Sequence, residues 1–328
     1  MIEPIAPAPK TAILYCPLGI YSRGQFPGGL FPSGRIYTPR ASLPSQRGEP
    51  VDSFTCATGI RMPQILYGTA WKKADTEHLV ATAIRHGFRG LDTACQPKHY
   101  EEAGVGTGIA AALAQGLTRD DLYLQTKFTP LSGQDPQRIP YDPAAPIHQQ
   151  VAQSCEVSLQ NLRTERLDCL VLHSPLPTAR QTHEVWQAME ALVDAGKAGQ
   201  LGISNCYQLR QLESLYNEAR SKPAVLQNRF HADTRYDHDL RVYCRKRNII
   251  YQSFWTLSAN PHILSHRTVT ALADKYQRSA AQILFRYLTQ IGVAPLTGTR
   301  SETHMRDDLA IFEFQLTDPE LTRVAAVF

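Results

Sequence analysis

Between residues 64 and 297, eight short apolar, β-prone runs alternate with stretches of helical periodicity. The runs are 64–70, one ending at Asp92, 122–128, one ending at His173, 199–204, 224–228, 249–254 and 293–297. Between them, Leu79, Val80, Ala83 and Ile84 share one helical face, Val151, Cys155, Leu159 and Leu162 a second, and Val185, Trp186, Met189 and Leu192 a third. Eight β–α units in one domain-sized block predict a closed (β/α)8 TIM barrel over residues 51–328. A small hairpin is expected just before it, with 54–57 and 60–62 joined at Thr58-Gly59. An open doubly wound sheet is the alternative. Its glycine fingerprint is best approximated by Gly104-Val105-Gly106-Thr107-Gly108, but no strand precedes that segment and no ribose-binding acid follows it, so it reads as a helix start. Ser279-Ala280-Ala281-Gln282 and Thr317-Asp318-Pro319-Glu320 read as two further helix starts.

Active sites of such barrels lie at the carboxyl ends of the strands. Here Asp92, Lys127 and His173 each close a run, and Tyr100 follows the first. Taken singly, each has a bland reading: a turn-capping Asp, a solvated Lys, a core His. Taken together they suit the reduction of a carbonyl, which needs a hydride at carbon and a proton at oxygen. A phenol titrates near ~10, too high for easy donation at neutral pH. A neighbouring lysine favours the phenolate, a carboxylate holds that lysine, and a histidine orients the substrate oxygen. Trp71, Phe128 and Trp255 stand at strand ends and are expected to line the substrate pocket with His173. His99 is a rival proton donor beside Tyr100.

With these residues in view, the chain over roughly 53–328 resembles the aldo-keto reductase family. The resemblance rests on an ordered series of motifs: Tyr67-Gly68-Thr69-Ala70-Trp71, Gly90-Leu91-Asp92-Thr93-Ala94, Tyr100-Glu101-Glu102-Ala103-Gly104-Val105-Gly106, Thr126-Lys127, Leu172-His173-Ser174-Pro175, Gly202-Ile203-Ser204-Asn205, Leu226-Gln227-Asn228, Ser253-Phe254-Trp255, and the closing segment Phe312-Glu313-Phe314-Gln315-Leu316-Thr317. It implies an NAD(P)H-dependent reduction of an aldehyde or ketone, a small carbonyl substrate, and Asp92, Tyr100, Lys127 and His173 as catalytic residues. It also implies a cofactor site of Gly68, Thr69, Ala70, Asp92, Ser204, Asn205, Gln227, Phe254, Leu257, Thr299, Arg300, His304 and Asp308. Of these, Ser204, Asn205 and Gln227 would take the nicotinamide carboxamide, with an aromatic ring at Phe254 stacking on the nicotinamide. Two departures stand out. The tyrosine follows the aspartate at a longer spacing than the family's, with Cys95-Gln96-Pro97-Lys98-His99 between them. The positions that match the family's lysine and arginine for a 2′-phosphate are Gly298 and His304, leaving Arg300 to supply the charge. NADPH is the expected cofactor, with NADH as the alternative. The segment 129–146, with Tyr141, is expected to shape a pocket left open by a short carboxyl-terminal loop.

Residues 1–50 read differently. They hold nine of the 22 prolines, basic Lys10, Arg23, Arg35, Arg40 and Arg47, and only Glu3 and Glu49 as acids. An irregular leader that adds nothing to the barrel is expected. A cleaved organelle address is the alternative. Lys+Arg (34) nearly balance Asp+Glu (30), which makes no case for nucleic acid or an anionic membrane as partner. No apolar run reaches the ~18 residues of a membrane span. Seven cysteines without CxxC spacing favour a reducing, cytoplasmic setting and give no metal site. The sequence leaves the oligomeric state open, and a monomer is compatible with it. A cofactor-binding regulatory subunit on the same fold is the main competing function. A metal-dependent barrel hydrolase ranks last, for want of a His-x-His strand motif.

Overall fold

The computed structural model describes residues 52–328, so the expected leader lies outside the described residues. Strands β1 (Ser53–Thr55) and β2 (Arg61–Pro63) form the antiparallel hairpin, with Gly59 at φ +86° in its turn. Eight further strands follow: β3 (Leu66–Gly68), β4 (Gly90–Asp92), β5 (Tyr123–Phe128), β6 (Leu167–Leu172), β7 (Ala198–Ser204), β8 (Val225–Arg229), β9 (Ile250–Phe254) and β10 (Val293–Thr297). All pair in parallel, and β10 pairs with β3 to close the barrel in the order β10-β3-β4-β5-β6-β7-β8-β9. The barrel and its hairpin are thus as expected. The ends differ by a residue or two, because strand ends are set by pairing with neighbours.

Two apolar layers result from strand alternation. Outward residues such as Leu124, Leu170, Ile203 and Leu226 meet the helices in the main core. Inward residues Leu66, Tyr123, Cys169, Val171, Val225 and Ala294 pack with Cys56 and Met62 of the hairpin, which plugs the amino-terminal end. Helices α1 (Thr76–His86), α2 (Glu102–Leu113) and α3 (Ile147–Leu162) flank the strands that carry the chemistry. The glycines of 104–108 lie inside α2 and serve packing. A Cβ on Gly106 would stand 2.0 Å from the Asn161 carbonyl oxygen of α3, and one on Gly108 2.8 Å from the Glu77 oxygen of α1. The Ser279–Gln282 and Thr317–Glu320 capping boxes both form, opening helices Ala280–Gln290 and Asp318–Ala325. Among the described residues, no helix is long and apolar enough to cross a membrane.

Candidate active site

The carboxyl ends of the strands open on a cavity of about 970 Å³, at the upper end of the ~300–1,000 Å³ of small-molecule sites. Asp92 ends β4 and forms the floor. Its Oδ1 accepts from Lys127 Nζ (2.7 Å), Gln125 Nε2 (2.7 Å) and Gln227 Nε2 (2.8 Å), and its Oδ2 accepts from Lys127 Nζ (2.6 Å). Lys127 places its remaining proton on the Thr93 carbonyl at 2.8 Å. Both side chains of this ion pair are nearly fully buried. Such a pair is costly to desolvate and holds only when every proton and lone pair is matched. Gln252 completes the match: its Oε1 accepts from Gln125 (2.9 Å) and Gln227 (2.8 Å), and its Nε2 donates to Gln125 Oε1 at 2.9 Å.

Tyr100 stands above this floor. The insert before it folds into a turn: the Tyr100 and His99 amides both donate to the Gln96 carbonyl at 3.1 Å, and the Trp71 amide donates to the His99 carbonyl at 2.7 Å. The extra residues therefore leave Tyr100 on the cavity wall, its ring 5.3 Å from Lys127 Nζ and 6.0 Å from the His173 ring. His99 also lines the cavity, with its ring 3.9 Å from that of Trp71. Lys127 spends its protons on Asp92 and Thr93, and burial, followed by the charge of Asp92, pushes the Tyr100 phenol up. The hydroxyl therefore stays protonated at neutral pH, and the ammonium acts as a charge beneath the ring.

Burial drives the His173 imidazole down to about 3, helped by Lys127 and His99, so it is neutral. Its Nδ1 is 2.7 Å from Thr129 Oγ1. Thr129 is buried, and its carbonyl accepts from Tyr141 (2.9 Å) and Gln134 (3.2 Å). If the threonine hydroxyl donates to Nδ1, the proton sits on Nε2, and the ring becomes a hydrogen-bond donor.

The other expected residues divide by position. Gly68, Ala70, Trp71, Ser204, Asn205, Gln227, Phe254, Trp255, Leu257, Thr299, His304 and Asp308 line the same cavity. Ser204 Oγ donates to the Gln227 carbonyl at 2.7 Å, and Asn205 Nδ2 donates to the His173 carbonyl at 2.8 Å. Both Nε2 protons of Gln227 are engaged, so its oxygen is the group left to accept from an amide. Burial pushes Asp308 up to about 6 while it accepts from Thr297 at 2.6 Å. Thr69 is not on the wall: it is buried and donates to the Asp92 carbonyl at 3.0 Å, tying β3 to β4. Arg300 stands outside the lining on an exposed edge, ion-paired to Asp75. Phe128 is a correction. Lys127 takes the inward position of β5, so the Phe128 ring points outward against Tyr141 (5.6 Å) and cannot line the pocket. Tyr141 packs on Phe128 and donates to the Thr129 carbonyl.

Lys72 was not anticipated. It is 2% exposed, its ammonium donates to the Gly298 carbonyl at 2.6 Å, and it lies 5.1 Å from the centre of the Tyr67 ring. A side chain begun at Gly298 would meet that ammonium at 3.9 Å. The nearest cation to Gly298 thus comes from the loop after β3. Burial, followed by the nearby Arg300, lowers Lys72 to about 8. Gln125, Thr129 and Gln252 were also missed. Gln125 and Thr129 lie two residues either side of Lys127, so strand periodicity alone turns them inward. Three residues at the mouth, Trp71, Asn205 and Trp255, adopt φ values of +63°, +52° and +55°. Such backbone is uncommon outside glycine and clusters at functional sites.

The site is thus a (β/α)8 barrel with Asp92, Tyr100 and His173 on the cavity at its mouth and Lys127 paired to Asp92 beneath it. The chain belongs to the aldo/keto reductase family, whose model matches residues 64–328. It is 29% identical over 276 residues to the uncharacterized oxidoreductase YtbE of Bacillus subtilis, covering 83% of this chain and 91% of that one. It is 28% identical over 278 residues to the glyoxal reductase of the same organism, covering 84% and 92%. Among solved structures, the Bombyx mori aldo-keto reductase AKR2E4 in complex with NADP superposes with a TM-score of 0.71 at 26% identity, covering 84% of this chain and 92% of that one.

Proposed function

We propose that this protein reduces an aldehyde or ketone to an alcohol at the expense of NADPH, with Tyr100 as proton donor. The observation that carries the reading is the convergence of Tyr100, His173 and the Lys127–Asp92 pair on the cavity that Gln227, Asn205, Ser204 and Phe254 also line. Relatives described as a glyoxal reductase and as an NADP complex support it.

The residues present fit a nicotinamide dinucleotide. The free Gln227 oxygen and the engaged Ser204–Asn205 pair suit the carboxamide, and Phe254 offers a ring face. Lys72 and Arg300 supply positive character after β3 and β10 for the phosphates, and His304 lines the cavity there. When bound, the reduced cofactor supplies the hydride. Neutral His173 donates through Nε2 to the substrate oxygen and fixes its direction. The Tyr100 hydroxyl, kept protonated by burial, hands its proton to that oxygen as negative charge develops there. The Lys127 charge, 5.3 Å from the ring and held by Asp92, stabilises the phenolate left behind. Trp71 and Trp255 flank the entrance.

The test is to follow NADPH and NADH absorbance with the full chain against a panel of aldehydes, ketones and sugars. Turnover that Tyr100→Phe abolishes, with cofactor affinity kept, supports the reading. Tight cofactor binding with negligible turnover on every compound would point instead to the regulatory alternative.

A further inference from the structure

The cavity has a cation beside it that the reduction does not use. Along β8, Val225, Gln227 and Arg229 share the inward side: Val225 packs in the barrel interior and Gln227 lines the cavity. Arg229 is the last residue of the strand, two positions or roughly 6.6 Å nearer the mouth. In the sheet it pairs with Phe254, another wall residue. Its guanidinium lies 4.7 Å from the centre of the Trp255 ring. Trp255 lines the cavity, is 51% exposed and has a left-handed backbone. The amide of Arg229 is fixed by the Tyr207 hydroxyl (3.2 Å), which in turn donates to Asn205 Oδ1 at 3.2 Å.

Arg300 faces Asp75, but the Arg229 guanidinium has no ion pair and no side-chain hydrogen bond among the described residues. Its Nε is buried without a partner. A buried donor without an acceptor is rare and calls for an explanation. Stacking on a tryptophan holds a guanidinium plane still while leaving its terminal nitrogens free to fork onto a carboxylate. The cations suited to the cofactor phosphates, Lys72 and Arg300, follow β3 and β10, whereas Arg229 belongs to the β8 side, next to the residues suited to the carboxamide.

We propose that Arg229, held on Trp255, is an anion subsite, and that the substrate is a carbonyl compound that also bears a carboxylate. This rests on the reductase reading above and names its substrate class.

The test compares terephthalaldehydic acid, a benzaldehyde carrying a carboxylate, with its methyl ester in the full chain, Arg229→Met and Arg229→Lys. Methionine keeps an unbranched side chain against Trp255 and removes the charge together with the guanidinium donors. The wild type should prefer the acid. Arg229→Met should raise KM for the acid by about tenfold or more, the scale of a charge-assisted contact. It should leave the ester, the NADPH Kd and Tm within about twofold or a degree or two, and Arg229→Lys should recover part of the loss. Equal loss on acid and ester, or no preference in the wild type, would overturn the subsite. A selective rise in the NADPH Kd would assign Arg229 to the cofactor and overturn it too. Should neither aldehyde be reduced, tryptophan fluorescence of the NADP-loaded protein reads binding alone. Binding of the acid that Arg229→Met abolishes would uphold the subsite while the reductase reading falls, and no such binding would remove the subsite as well.

Discussion

The two sides of the cavity are built on opposite plans. On the floor, Asp92 accepts from three side chains, Lys127 has all its protons placed, and three glutamines close the network, all of it nearly dry. On the rim, Trp71 and Trp255 are half exposed, Arg300 has a single exposed acid for a partner, and Arg229 has only a ring face. The floor is over-determined, so each group there has one geometry and removing one strands the others. The rim is under-determined, so its residues can meet different ligands at small cost to the fold. On the proposed reductase reading, chemistry belongs to the first region and selectivity to the second.

The largest break should come from Lys127→Met. It leaves a carboxylate buried without its cation, so we expect activity to vanish and stability to fall by roughly 3–5 kcal/mol, read by kinetics and denaturant titration. Adding Asp92→Asn should return most of the stability and none of the activity. A stable, active Lys127→Met enzyme would refute the floor as described. Tyr100→Phe comes next. It removes a proton donor but no buried bond, so turnover should drop by at least ~10²-fold with cofactor affinity and melting temperature kept. If His99→Ala rather than Tyr100→Phe silences the enzyme, the donor is the histidine.

On the rim, Arg300→Ala should weaken NADPH by about tenfold and leave NADH nearly unchanged, the low end for a charge-assisted contact because the group is exposed. Equal effects on both cofactors would mean that this loop does not read the phosphate. Between the regions lies Thr129. Thr129→Val should release the His173 tautomer and lower kcat more than it raises KM, by the ~0.5–1.5 kcal/mol of one hydrogen bond, and Thr129→Ser should restore it. An unchanged kcat would show that His173 orients itself. The smallest effect is on pH. Lys72, lowered to about 8, is charged below that value and neutral above it, so NADPH affinity should decline gently as pH rises through 8. His173, at about 3, adds no acid limb between pH 5 and 7. A titration of activity near pH 6 that His173→Gln removes would contradict its neutral state.

Periodicity in the sequence determined the barrel and the hairpin, and put Asp92, Lys127 and His173 at the carboxyl ends of strands, because strand order places strand ends at one mouth whatever the details of packing. Order along the chain likewise brought Ser204, Asn205 and Gln227 to one wall. What tertiary structure alone decided is which partners meet across the barrel. Lys72 and Gly298 are 226 positions apart, and their contact is invisible until β10 closes on β3. Phe128 was misread because a strand-end aromatic can face either way. Only the inward commitment of Lys127 to Asp92 turned that ring into the core. Periodicity follows from backbone geometry, which a residue carries with it. Hydrogen-bond saturation and burial depend on neighbours distant in the chain, and those exist only once the barrel has closed.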